Sequence, residues 1–204
     1  MKSPYNSLLT KAALAVLAST LCNWANAHTG VDAHDHTGFL MGFGHPLGGL
    51  DHLAAMVAVG LWSALTARRA GAEWLWGPLG FASMLLVGAE MGLQGITLPA
   101  VEPMIASSLL VIGLLVVSRL HLPGLAAALL VGGFAMFHGV AHGLELAGNT
   151  SAWLTLAGML SATVLLHLTG LGLGWALRNS NVWLARCAGA AVAASGGALL
   201  LQWV

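Results

Sequence analysis

The chain has 204 residues, 58% of them hydrophobic and only 7% charged, and its formal net charge is zero. Water-soluble domains carry roughly 25% charged residues, so this composition excludes an ordinary soluble globular protein. With no Lys/Arg cluster it also excludes a nucleic-acid binder. Nine histidines outnumber the seven acidic and the seven basic residues, a bias that points to metal or proton chemistry in so apolar a chain.

Lys2 and Lys11 precede an apolar run, residues 12–21, which is followed by Ala25-Asn26-Ala27, a small-x-small cleavage pattern. Residues 1–27 are therefore expected to form a cleaved signal peptide. The alternative, an uncleaved first span, is disfavoured because the run is short for a bilayer. Cleavage would make His28 the N-terminus, outside the cytoplasm, where its amine and imidazole could chelate a metal. Cys22 would leave with the leader; Leu21 before it is not small, so no lipobox is present. Cys187 would then be alone, and metal ligands would have to be nitrogen and oxygen. Residues 28–44 are polar and Gly-containing, with His34-Asp35-His36. They read equally well as an external metal-gathering tail or as a solvated lead-in.

From Pro46 onward six apolar segments follow, at about 46–66, 74–93, 103–119, 122–145, 152–177 and 182–203. Each approaches the roughly 20 residues that a bilayer requires, and helices satisfy the backbone there. The predicted fold is all-α: a six-transmembrane-helix bundle over residues 45–204, after the signal peptide and the external segment. Starting outside, alternation puts Arg68, Arg69, Arg119, Arg178 and Arg186 on the cytoplasmic side and Glu102, Asp32 and Asp35 outside, with the C-terminus also outside. That arrangement obeys the positive-inside rule. Most glycines, such as Gly139, Gly143, Gly170 and Gly174, are expected to be packing seams.

The first span opens with His45, Pro46, Asp51 and His52, Pro46 suiting the first helical turn. The fourth runs the other way and carries Phe137-His138-Gly139-Val140-Ala141-His142-Gly143-Leu144-Glu145 near its outer end. His138, His142 and Glu145 share one helical face. Such groups cost a few kcal/mol each in hydrocarbon unless paired, so their convergence calls for a cation or a proton path. Glu90, near the outer end of the second span, is a further candidate. His167, mid-way along the fifth, reads either as a second station on an inward path or as a hydrogen-bonded core histidine; His121 reads as an interfacial exit ligand. A lone buried histidine is more often structural than a ligand, whereas His52, His138, His142 and Asp51 together favour metal or proton handling.

These residues resemble the HupE/UreJ family of nickel and cobalt permeases, bacterial membrane proteins found with hydrogenase or urease systems. The likeness rests on His45-x5-Asp51-His52 and on Phe137-His138-Gly139-x-Ala141-His142-Gly143-x-Glu145, and extends over the whole chain. It implies a secondary permease of the inner membrane that is not an enzyme and has no prosthetic group. Ni(II), or Co(II), would be cargo bound or passed by His45, Asp51, His52, His138, His142 and Glu145. It also implies a link to hydrogenase or urease maturation. Imidazole and carboxylate ligands suit late first-row divalent ions but do not select among them. Two other classes fit the residues: an intramembrane zinc hydrolase with Glu90 or Glu145 activating water, and a membrane metal sensor or accessory subunit.

Overall fold

The computed structural model describes residues 38–68 and 71–202. The expected signal peptide, His28 and the His34-Asp35-His36 stretch lie outside the described residues. What is described is helical, with no strand: α1 Phe39–Gly48, α2 Leu50–Thr66, a 3₁₀ turn Ala72–Leu75, α3 Trp76–Leu93, α4 Val101–Ser118, α5 Gly124–Glu145, α6 Ala152–Leu177 and α7 Val182–Leu200. From Ala67 onward the breaks fall at the expected separators. Arg119 closes α4 in the left-handed region, φ 53°, and Asn181 caps α7 by accepting from the Trp183 amide at 3.0 Å.

α4, α5, α6 and α7 are each long and apolar enough to cross a membrane, and the α1–α2 pair counts as a fifth crossing if taken as one bent span. The outward surface agrees: Leu125, Leu129, Leu165 and Leu168 are exposed, as befits side chains facing lipid. Trp76, Trp153, Trp175 and Trp183 are also exposed, each close to a helix end, where indole rings anchor at the membrane interface. The protein is therefore a multi-pass membrane protein. α3 falls short of the other four because Pro78, Glu90 and four glycines dilute its apolar content.

The first expected span differs in two ways. Helix begins at Phe39, within the stretch expected to be a lead-in, and it breaks at Gly49, where α2 departs from α1 at 84°. Pro46 lies inside α1 near its end, not in the first turn of a longer helix. The physical cause is local: Pro46 removes a backbone donor, and Gly49 takes an extended conformation, φ −94°, ψ 115°. α2 then starts afresh with Asp51 in its first turn, where a carboxylate offsets the positive end of the helix dipole.

Close helix pairs come from the glycines. A Cβ on Gly139 or Gly143 of α5 would strike the backbone of α3 at Leu85 and Ala89, and one on Gly88 or Gly92 of α3 would strike that of α5. Gly60 of α2 and Gly170 of α6 form a second seam, Gly42 of α1 and Gly158 of α6 a third, and Gly113, Gly189 and Gly196 join α4 to α7. Missing side chains let the backbones approach and gain dispersion contacts. Between these seams lies an apolar core including Met56, Val59, Trp62, Phe81, Leu85, Val116 and Val131. At the Arg68 end, Trp62 Nε1 donates to the Leu120 carbonyl at 2.9 Å and Arg178 Nη2 to that of Ala67 at 2.9 Å, tying loops to helices.

Candidate metal centre

The seam between α3 and α5 sets the rotation of α5. Gly139 and Gly143 face α3, and His138 and His142, each one residue earlier and so about 100° round the helix, are turned to another side. There they meet α1 and α2. The ring centroids of His45 and His142 are 4.8 Å apart, those of His52 and His142 5.2 Å, and those of His45 and His52 5.8 Å. One nitrogen from each of His45, His52 and His142 lies within 4.8 Å of the other two. Two imidazole nitrogens on one divalent ion sit about 3 to 3.5 Å apart, given metal–nitrogen bonds of about 2.0–2.1 Å. Small side-chain rotations close that difference. His45 is exposed, His52 intermediate and His142 buried, so the three run from the surface inward.

Carboxylates orient the rings. Asp51 Oδ1 accepts from His52 Nδ1 at 3.0 Å, and Glu145 Oε2 from His142 Nδ1 at 3.4 Å. Each bond places the proton on Nδ1 and leaves Nε2 with its lone pair for an ion. Gly49 makes room for the first pair: a Cβ there would sit 2.9 Å from Asp51 Oδ1 and 3.2 Å from His52 Nδ1.

His138 stands one step deeper, with its centroid 5.4 Å from that of His52. Its Nε2 is 3.1 Å from Ser108 Oγ. Because that hydroxyl donates to the Ile105 carbonyl at 2.6 Å, it accepts from His138, and the lone pair of His138 falls on Nδ1. That nitrogen is buried and has no partner among the described residues. Ser108 is a site residue the sequence did not reveal, since a serine within an apolar helix 30 residues from its partner carries no local signal.

Of the expected residues, His45, Asp51, His52, His138, His142 and Glu145 come together. Glu90 does not join them. Its carboxylate accepts from Gln94 Nε2 at 2.6 Å, one turn along the same helix. His167 lies apart from the cluster, buried in α6 and edge-on to Phe81. His121 pairs with Glu73, Nε2 to Oε1 3.3 Å, at the opposite end of α2 from the cluster.

Apolar helices around a nitrogen-rich cluster backed by carboxylates make this a multi-pass membrane protein with a candidate site for a late first-row divalent cation. The HupE / UreJ protein family model matches residues 14–199, and the chain belongs to that family. It is also 41% identical over 199 residues to "Protein HupE" of Rhizobium leguminosarum bv. viciae, covering 97% of this chain and 98% of the relative. No solved structure matches it.

Proposed function

We propose that the chain is a secondary permease that imports Ni(II), or Co(II), across the bacterial inner membrane. In this reading six spans cross the bilayer, with α1 and α2 as one broken span and α3 as another. The mature N-terminus and the C-terminus are periplasmic, and residues 1–27 are removed. The cluster then faces the periplasm and takes the ion from water. The observation that carries the reading is the approach of His45, His52 and His142 to within 4.8 Å in ligand atoms, on three helices of a chain whose relative is named HupE.

The metal is cargo, and no prosthetic group is invoked. A cytoplasm-negative potential of about 100 mV favours influx of a divalent ion by about 4.6 kcal/mol, near three decades in concentration, so passive flux followed by trapping suffices. Delivery to hydrogenase or urease maturation would be the sink. A hydrolase gains nothing from the site: Asp51 and Glu145, the carboxylates beside the cluster, are both engaged with ligand imidazoles, and a metal-activated water would need a base apart from them.

The test is initial-rate ⁶³Ni uptake in cells expressing the chain, with Co(II), Zn(II) and Cu(II) as competitors and His142→Ala as control. Uptake that depends on His142 and is competed by Co(II) is expected. Wild-type rates in the variant would remove the site from the path.

A further inference from the structure

His138 is not the last buried imidazole with an unpartnered ring nitrogen among the described residues. His167 is 2% exposed, and its Nε2 has no partner among the described residues. A histidine kept only for packing would have both nitrogens satisfied, because an unpartnered buried acceptor is costly.

One aromatic ring packs against both histidines. The Phe81 ring lies 5.9 Å from His138, tilted by 49°, and 5.1 Å from His167, at 69°. It is 3% exposed and belongs to the apolar core, so it offers an ion no ligand. Beyond His167 polar groups resume. Gly60 packs on the His167 carbonyl, and one turn further along α2 the buried Ser63 hydroxyl has no partner among the described residues. Ser63 lines a cavity of about 20 Å³ together with Glu73 and His121, enough for one water-sized occupant.

We infer that His167 is a second cation station, separated from the outer histidines by Phe81 acting as an apolar plug. The ion passes from His138 Nδ1 to His167 Nε2 when the ring swings aside, and then to the Ser63–Glu73–His121 cavity. The inference rests on the permease reading for its cargo, while the plug itself is a matter of access.

The experiment uses the full chain in proteoliposomes, with ⁶³Ni(II) flux as one readout and diethyl pyrocarbonate modification of each histidine, located by mass spectrometry, as the other. His167→Gln is expected to keep nickel binding at the outer cluster, measured by equilibrium dialysis, while flux falls about tenfold or more, the scale of a lost ligand or its support. Phe81→Ala is expected to raise both flux and labelling of His167, with labelling of His142 unchanged; Phe81→Leu, which keeps apolar bulk, stays near wild type. Flux in His167→Gln equal to wild type would overturn the station. Equal labelling of His167 in wild type and Phe81→Ala would overturn the plug. Should the wild-type chain carry no nickel, the permease reading falls and the labelling comparison alone decides the plug. A Phe81→Ala chain that fails to fold leaves the His167→Gln arm to decide.

Discussion

Asp51 bonds to His52, one of the three clustered imidazoles, and its removal is expected to weaken nickel binding by about 10- to 100-fold, the usual effect of losing the carboxylate behind a ligating histidine. Two independent routes give that size. The bond from His52 Nδ1 to Asp51 Oδ1 is 3.0 Å long, and a hydrogen bond to a charged partner is worth about 1.5–3 kcal/mol. At about 1.4 kcal/mol per decade, that is about one to two decades in affinity. Asp51→Asn separates two contributions: its amide oxygen still accepts from Nδ1 and holds the ring, but the negative charge is gone. Asp51→Ala is therefore expected to lose the full factor and Asp51→Asn a smaller one, about tenfold. The assay is titration calorimetry with Ni(II) on purified chain in detergent, with thermal melting as a check that the fold is intact. Affinities of both variants within about twofold of wild type would refute the idea that this carboxylate sets the tautomer of His52.

Glu90→Gln is expected to leave nickel affinity within about twofold of wild type, since Glu90 bonds to Gln94 outside the cluster; a loss as large as that of Asp51→Ala would place it in the site. Gly143→Val should lower the melting temperature, because its side chain would strike the Ala89 carbonyl and overpacking costs about 1–3 kcal/mol; unchanged melting would deny the seam between α3 and α5. Imidazoles must shed protons to bind metal, so initial uptake should fall as external pH drops through the ordinary histidine range, near 6.5. A rate flat from pH 7.5 to about 5.5 would contradict histidine ligation. In proteoliposomes, imposing about −100 mV inside should raise accumulated nickel by about three decades over zero potential if the ion crosses with both charges. No response would require an exchanged counter-charge.

Much of the site could be read along the chain because helical spacing converts position into direction. His138, His142 and Glu145 had to share a face once α5 was a helix, and the flanking glycines marked the close seam. The break at Gly49 was less visible. Pro46 alone suits a helix start, and the apolar count runs through Gly48-Gly49 without interruption, although paired glycines are themselves a break signal. Glu90 shows the limit of depth as a guide. It lies near the expected end of its helix, but which side of that end meets α5 depends on how α3 rotates, and Gly88 and Gly92 are the residues that pack on α5, while Glu90 bonds to Gln94 one turn along. Ser108 and Phe81 were illegible for a similar reason, since each acts through a partner on another helix.

The small-residue seams also say which parts of the molecule travel together. α3 is welded to α5, and α1 and α2 to α6, whereas contacts across from one welded body to the other are sparser. His45 and His52 ride on one body and His142 on the other; Phe81 and His167 are divided in the same way. The candidate ligands are thus shared across a joint, so a slight rocking of one half against the other would spread the imidazoles above and part the ring from its neighbour below in a single stroke.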